Sequence, residues 1–363
     1  MLDIKKIILA LMSSGGIAFA ADPFLALDGK WDLRSIIEAY SKPISEWPKP
    51  TVDKAVKYKE MESVKTLDSA TLDSPIVKLG LRLFHEPRLS MSNDISCASC
   101  HRPNRAYTEE SSVSSGFKGL KGGRNAPTIL GVGGASSLFW DGRAKTLQEQ
   151  ALGPIANPVE MAMPLDKLAK KLEKMSGYEK DIKEVFGDSA FTVERVAVAI
   201  AAYEATIVAP RTRYDEFLDG NKSALNSKEV LGLHLYRTKA QCMNCHYGER
   251  LTDDSFHNLG LTYFGRKYHD AGRYEVTKDN NDTGKFKTPT LRQISNTSPY
   301  MHNGLFKSLR NVLNMYNGGM FHPKPMNEAQ AKDPKFPKTS ELVKKLNLTK
   351  EELDALEAFL KTL

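Results

Sequence analysis

The sequence predicts a mainly α-helical protein with two domains and long loops. Three observations predict it. Apolar residues recur with helical periodicity after residue 72, and few segments alternate as strands do. The chain has 363 residues, a length that allows two domains of ordinary size. Finally, one C-x-x-C-H pentapeptide stands in each half of the chain, at residues 97–101 and 242–246.

The C-x-x-C-H pentapeptide is the attachment signature of c-type haem. Its cysteines form thioethers with the porphyrin, and its histidine supplies an axial nitrogen to iron. The chain has four cysteines, all used by the two motifs: Cys97, Cys100 and His101, then Cys242, Cys245 and His246. A structural zinc site would need four close ligands, and a redox dithiol does not need the histidine. We therefore expect two cytochrome c-like domains, each with one covalent haem.

The first residues predict export. Lys5 and Lys6 precede an apolar run, and Ala18-Phe19-Ala20 is a small-x-small cleavage site. The alternative is a membrane anchor, but the apolar run is short and is interrupted at residues 13–16. We expect a signal peptide at residues 1–20 and a periplasmic protein without a membrane span after cleavage.

The charge of the chain bears on its partners. The formal net charge is +7, and it becomes +6 without the signal, which carries Lys5, Lys6 and Asp3. A mildly basic surface favours an acidic partner protein. No block of Lys and Arg is long enough to indicate a nucleic-acid partner.

Three helices can be placed from their caps. Thr192 is a candidate N-cap, and Asn226 with Glu229 and Thr349 with Glu352 form candidate capping boxes. Apolar stripes follow the first and the last of these caps, at Val196, Ile200, Tyr203 and Ile207, and at Leu353, Leu356, Leu360 and Leu363.

The division into domains follows from composition and from the motifs. Residues 21–74 are rich in proline and charge and read as an extended or partly helical N-terminal extension of unassigned function. Residues 75–223 would form the N-terminal haem domain and residues 224–363 the C-terminal one. The boundary is placed near the polar stretch 220–227, and glycine-rich loops fall at 116–123 and 131–134.

Short sequence motifs spread through the chain resemble motifs of the bacterial di-haem cytochrome c peroxidases. They stand at residues 83–84, 89–90, 96–101, 123–128, 139–144, 157–161 and 299–304. The resemblance runs from about residue 75 to the C-terminus. It implies a peroxidatic N-terminal haem and an electron-transfer C-terminal haem. Within this family the chain is most similar to the MauG-type branch, on three positions.

The first position is Phe117. Peroxidases of the family usually carry in this loop a histidine that caps the N-terminal iron, whereas this chain reads Gly116-Phe117-Lys118. Phenylalanine cannot ligate iron, so the resemblance implies a sixth site open to hydrogen peroxide. The alternative is another distal ligand, Lys118 or Lys121, which would first have to lose its proton.

The second position is Glu160, in the word Asn-Pro-Val-Glu-Met. A carboxylate over an open haem can move a proton between the two peroxide oxygens and promote cleavage of the O–O bond. The alternative is an ordinary surface glutamate near a helix start. By family position Gln150 and Pro154 line the same pocket, although proline is also simply a turn residue.

The third position is Tyr316, the expected distal ligand of the C-terminal haem. Family peroxidases place methionine fourteen residues after the histidine of the Tyr-x-His-x-Gly word, and MauG-type enzymes place tyrosine there; counting from His302 gives Tyr316. Ser308 is a candidate N-cap whose helix puts Leu309 and Tyr316 on one face. The alternatives are Met315 as the ligand, or a core tyrosine.

The resemblance also assigns residues between the haems. Trp140 would relay electrons, or be a structural aromatic residue of the core, or both. A calcium ion would be bound by Asn125 and by the main-chain carbonyls of Thr297 and Pro299, since oxygen ligands suit Ca²⁺.

One departure bears on the partner. MauG-type enzymes use a surface tryptophan two residues before the second motif, and here that residue is Ala240. Three functions stay open: peroxide-driven oxidation of a partner protein, as in MauG; peroxide reduction with electrons from a small cytochrome or cupredoxin; and electron carriage without catalysis. An open iron and Glu160 favour an enzyme. Its partners would be hydrogen peroxide and a periplasmic protein, with the chain a monomer or homodimer.

Overall fold

The computed structural model describes residues 22–363, and within them the protein is mainly helical, as predicted. The helices are α1 (Leu33–Ser41), α2 (Ser69–Asp73), α3 (Pro75–Phe84), α4 (Cys97–Cys100), α5 (Leu147–Ala156), α6 (Leu165–Leu172), α7 (Glu179–Phe186), α8 (Val193–Ala205), α9 (Arg213–Leu218), α10 (Ser227–Arg237), α11 (Tyr274–Thr277), α12 (Leu309–Asn317), α13 (Glu328–Lys332) and α14 (Lys350–Leu360). Two short strands, β1 (Phe256–His257) and β2 (Phe286–Lys287), pair antiparallel. Long loops join these elements.

The first hydrophobic core is built between residues 64 and 209. Helices α3 and α8 pack along each other, and α5 packs on α8. Leu83, Phe84 and Ile200 are fully buried there, and the cysteine Cys97 packs against the same core. The first haem-attachment motif therefore lies on a rigid helical support.

The second hydrophobic core joins the two ends of the chain. Helix α10 packs along α14 and against α1. Ile36 and Tyr40 of α1 are as deeply buried as Phe359 of α14, and Cys242 packs against this core. The N-terminal extension is thus an integral part of the unit that carries the second motif.

The three predicted helix starts are confirmed. Thr192 accepts a hydrogen bond from the Arg195 amide, and capping boxes form at Asn226–Glu229 and Thr349–Glu352. The stripe of leucines on α14 is buried, as its spacing predicts.

The predicted domain boundary, between residues 223 and 224, stays a prediction. Tyr214 and Phe217 of α9 precede that boundary and already pack in the second core. The predicted signal peptide lies outside the described residues. Among residues 22–363, none of the helices has the length and apolar character needed to cross a membrane.

Candidate haem sites

The two motif histidines make the same hydrogen bond. His101 Nδ1 lies 3.1 Å from the carbonyl oxygen of Tyr107, and His246 Nδ1 lies 3.0 Å from that of Leu251. A carbonyl oxygen only accepts, so each Nδ1 carries the proton and each Nε2 keeps its lone pair. Burial lowers the pKa of both imidazoles, which keeps them neutral. Both histidines therefore offer Nε2 in the form that an iron requires.

The motif backbones are also alike. The amides of His101 and His246 each donate 2.9 Å hydrogen bonds, to the carbonyls of Cys97 and Cys242. All four cysteines are free thiols of intermediate exposure. Burial raises the pKa of every one, that of Cys100 to about 11 and that of Cys242 to about 12, so they are protonated. This donor set fits covalent attachment of haem, because two thiols and one neutral imidazole are held in one turn.

A cavity with a mainly apolar wall opens beside the second motif. Cys242, Cys245 and His246 line it, together with Tyr316. Its apolar wall includes Leu259, Leu261, Leu291, Ile294, Val312, Leu313, Leu342 and Leu356. An apolar cavity bordered by the attachment residues suits a porphyrin.

Helix α12 carries Met315 and Tyr316, the two candidate ligands of the C-terminal haem. Its N-cap Ser308 accepts a hydrogen bond from the Asn311 amide, as predicted. Tyr316 lines the cavity, whereas Met315 is not among its lining residues. Burial raises the pKa of the Tyr316 phenol well above its ordinary value, and negative charge on Cys245 or Cys242 would raise it further. The phenol is therefore within electrostatic reach of both attachment residues.

On the first haem side, the Gly116–Lys118 turn lies directly against residues 159–160. The Phe117 amide donates a 2.7 Å hydrogen bond to the Glu160 carbonyl. A Cβ at Gly116 would lie 2.6 Å from Glu160 Cα, so only glycine permits this approach. Phe117 and Glu160, two distal residues predicted separately from sequence, are thus neighbours.

Glu160 is half-buried and held by one amide. Its Oε1 accepts a 2.8 Å hydrogen bond from Asn157 Nδ2. Burial raises the pKa of the Glu160 carboxyl, against the opposing influence of Arg143 and Asn157. Its charge in turn acts to raise the pKa of Cys100, which places Glu160 within electrostatic reach of the first motif. A carboxyl with a raised pKa and one oxygen that has no hydrogen-bond partner within residues 22–363 is suited to proton transfer.

Helix α5 supplies the other predicted distal residues. Gln150 and Pro154 are one turn apart, on the same face, and both are partly buried. The carbonyl of Pro154 accepts a 3.1 Å hydrogen bond from the Met161 amide, which ties α5 to the segment that carries Glu160.

The two alternative distal ligands, Lys118 and Lys121, are exposed. Lys118 lies over the Phe117 ring, with Nζ 5.2 Å from the ring centroid, and Lys121 contacts Ser115.

Trp140 lies on the wall of the second cavity and is hydrogen-bonded toward the first domain. Its Nε1 donates a 2.9 Å bond to the Asn125 carbonyl, and its ring is 6.5 Å from that of His302. Next to Asn125, the Ala126 carbonyl accepts a 2.6 Å hydrogen bond from Thr108 Oγ1. Thr108 directly follows Tyr107, whose carbonyl is the hydrogen-bond partner of His101. A short run of backbone and hydrogen bonds therefore connects the first motif to Trp140, which borders the same cavity as the second motif.

The candidate calcium ligands are only partly brought together. Asn125 is buried; its amide donates a 2.7 Å bond to the His302 carbonyl and its Nδ2 a 3.1 Å bond to Ser111. This leaves Oδ1 without a protein donor among the described residues. Thr297 and Pro299 lie in the same loop as His302, and the peptide bond between Ser298 and Pro299 is cis.

Two buried residues were missed by sequence reasoning. Glu204 of α8 is 4% exposed, its Oε2 has no hydrogen-bond partner within residues 22–363, and burial raises its pKa to about 8. It follows Val196 and Ile200 at helical spacing, so an acid on an apolar stripe was the available signal. His302 lines the second cavity, and its ring stacks on that of Phe286 with the ring centroids 3.5 Å apart. Burial is the main cause that lowers the pKa of His302 to about 4.

Cys245, Asp253 and His257 are close enough to suggest a metal site. Asp253 already accepts a 2.7 Å hydrogen bond from His257, and Cys245 belongs to the attachment motif. The cluster is therefore part of the haem site.

Two hydrophobic cores, each carrying one C-x-x-C-H motif with an oriented histidine, define a two-domain protein of the c-type haem class. A family model described as di-haem cytochrome c peroxidase matches residues 74–223. Cytochrome c551 peroxidase of Nitrosomonas europaea is 40% identical over 245 residues, which are 67% of this chain and 73% of that protein. The methylamine utilization protein MauG of Methylorubrum extorquens is 33% identical over 310 residues, 85% of this chain and 83% of that protein.

A solved structure of a MauG-like protein associated with microbial copper homeostasis is also similar. Its TM-score is 0.71 at 30% identity, and the match covers 86% of this chain and 95% of that one. The chain belongs to the di-haem cytochrome c peroxidase family, as its sequence predicts. It is a haem peroxidase-type oxidoreductase with two c-type haems.

Proposed function

We propose that this protein is a periplasmic, MauG-like enzyme that uses hydrogen peroxide to oxidise a side chain of a partner protein. The observation that carries the proposal is Tyr316, which faces the cavity of the second motif where Met315 does not. An anionic phenolate donates strongly and favours oxidised iron, whereas a thioether raises the potential. A tyrosine ligand therefore suits an enzyme that stores oxidising equivalents for a slow protein substrate.

The residues that would hold the haems are the six of the two motifs, with Tyr316 as the second ligand of the C-terminal haem. Bound haem supplies the redox-active iron that reacts with peroxide. The phenol must lose its proton to ligate, and a cation in the cavity would oppose the rise in the pKa of Tyr316 that burial causes.

Around the N-terminal haem, the side chains would bind peroxide and move its proton. Phe117 brings no imidazole to the distal side, so peroxide has access without a ligand leaving first. Oε1 of Glu160 is occupied by Asn157, which leaves Oε2 to take a proton from one peroxide oxygen and give it to the other. Gln150 and Pro154 would shape the pocket.

Trp140 is proposed as the electron relay, because it borders the second cavity and bonds to the segment that follows the first motif. Calcium, bound by Asn125, Thr297 and Pro299, is part of the proposal; the unpartnered Asn125 oxygen and the oxygen-only donor set support it. The division of the chain at residues 223 and 224 into peroxidatic and electron-transfer domains is proposed with it.

The test compares two single variants of the haem-loaded protein. Tyr316→Phe should change the low-spin ferric EPR signal and shorten the lifetime of the species formed with peroxide. Met315→Leu is the matched control one residue away and should leave both unchanged. If Met315→Leu alters the low-spin signal and Tyr316→Phe does not, the proposal is wrong.

The second candidate is a cytochrome c peroxidase that reduces peroxide with electrons from a small redox protein. Ala240 favours it, because the position of the surface tryptophan used by MauG-type enzymes holds a small, buried residue. The 40% identity to a cytochrome c551 peroxidase also favours it. Rapid steady-state turnover with a reduced cytochrome would select this function over the first.

A further inference from the structure

We infer that lysines of the N-terminal extension, together with two lysines of the segment before α14, form a docking surface for an acidic redox protein beside the second haem site. The surface, called here the lysine patch, consists of Lys54, Lys57, Lys59, Lys344 and Lys345. The inference rests on the proposed function only in that the C-terminal haem exchanges electrons with a protein.

Three lysines of the extension are exposed and have no carboxylate partner among the described residues. Lys54, Lys57 and Lys59 are all exposed, and none of them makes an ion pair within the described part of the chain. Many other surface lysines, such as Lys65 and Lys239, lie beside a carboxylate. The stretch between residues 54 and 59 therefore projects net positive charge.

Two contacts fix this stretch to the wall of the second cavity. The Asp53 amide donates a 2.8 Å hydrogen bond to Oδ1 of Asn244, a residue within the second motif that lines the cavity. The carboxylate of Asp53 lies 3.5 Å from Lys344 Nζ, and Lys344 also lines the cavity. The stretch that carries Lys54, Lys57 and Lys59 thus begins at the wall of the cavity, with Asp53 between it and Lys344.

This stretch is fixed to the second domain at both ends. The Thr51 amide donates a 2.8 Å bond to the Arg237 carbonyl, and the buried Arg237 guanidinium pairs with Glu60 on the other side of the stretch. Both ends of residues 51–60 are therefore anchored, and the lysines are presented without a large ordering cost on binding.

The chemistry of the patch favours an acidic protein as the partner. Five positive charges against one negative charge attract an acidic surface and speed its encounter. Tyr58 is 37% exposed among the lysines and offers the kind of aromatic anchor that protein interfaces use. The patch has no arginine, the side chain that phosphate recognition prefers, and it is a short extended segment with no amphipathic helix for a lipid surface.

The test uses two probes that share a haem and differ in charge. Native mitochondrial cytochrome c is basic, and its fully succinylated derivative is acidic. Binding of each to the haem-loaded full-length protein is measured by calorimetry at low and at high ionic strength. We expect the acidic probe to bind at low ionic strength and to be released by salt, and the basic probe not to bind.

Variants locate the binding surface. Lys54→Glu, Lys57→Glu and Lys59→Glu combined should weaken binding of the acidic probe by about tenfold or more. The matched control combines Lys167→Glu, Lys170→Glu and Lys174→Glu, three exposed lysines on and after α6, and should weaken it by less than about twofold. The corresponding lysine-to-glutamine triple should give an intermediate loss.

Equal weakening in the two glutamate triples, or equal binding of the two probes, overturns the inference. The absorbance change that peroxide alone produces separates this result from the proposed function. If peroxide reacts normally while charge-dependent binding is missing, only the docking surface is wrong. If peroxide does not react while the acidic probe binds at the patch, the proposed function is wrong and the docking surface stands.

Discussion

Glu204→Gln should make the protein more stable at neutral pH. Glu204 lies inside the first core, one of its oxygens has no hydrogen-bond partner among the described residues, and burial raises the pKa of its carboxyl to about 8 from the usual 4.5. The folded protein therefore keeps this proton at pH 7, whereas the unfolded chain releases it. Glutamine keeps the shape of the side chain and has no proton to release.

The sign and size follow from linkage. Because the unfolded state binds fewer protons than the folded state above pH 4.5, the free energy of unfolding falls as pH rises toward 8. At pH 7 the Glu204 carboxyl makes the free energy of unfolding about 3 kcal/mol lower than in acidic solution, since each pKa unit is worth about 1.4 kcal/mol. Glu204→Gln should recover on the order of that amount at pH 7 and nothing near pH 4.5.

Urea unfolding followed by far-UV circular dichroism at pH 5 and at pH 8 measures this difference. Glu194→Gln is the matched control, because Glu194 is an exposed residue of the same helix α8. It should keep the pH dependence of the unmodified protein. If Glu204→Gln also keeps that dependence, the buried carboxyl is not the group responsible and the reasoning fails.

Two further variants test the catalytic and the structural assignments. Glu160→Gln should slow the reaction with peroxide on the order of 10²-fold, because it removes a positioned acid–base group; unchanged rapid-mixing spectra would remove Glu160 from the mechanism. Asp215→Ala should lower the free energy of unfolding by about 3–5 kcal/mol, because it leaves the buried Arg292 guanidinium, now 2.8 Å from Asp215, without its partner. Urea unfolding at neutral pH checks it, and a loss below about 1 kcal/mol would show that Arg292 finds another acceptor.

The sequence predicted those parts of the fold that are fixed by hydrogen bonds between residues close together in the chain. Thr192 and Thr349 specify helix starts through hydrogen bonds within one turn, so their residue types suffice to find them. The same is true of the C-x-x-C-H motifs, whose histidines are oriented by carbonyls five or six residues away.

The arrangements that sequence reasoning could not reach depend on distant partners. No residue near Asp215 in the sequence indicates that its carboxylate accepts a hydrogen bond from Arg292. The contact of Phe117 with Glu160 was implied only by family resemblance, because two loops without periodicity give no geometry of their own. The packing of the N-terminal extension was missed for the same reason, since Tyr40 of α1 meets His234 of α10, 194 residues further along the chain.

The two hydrophobic cores differ in how far apart in the sequence their residues lie. Residues between 64 and 209 can complete their core from one continuous stretch, whereas the second core needs Ile36 and Tyr40 from the beginning of the chain and Phe359 from its end. Trp31 Nε1 even bonds to Glu352 Oε1, at 3.0 Å, across nearly the whole sequence. Contacts this distant close large loops and form slowly. The second core is therefore complete only when the last helix has folded, whereas the first core needs no residue after position 209.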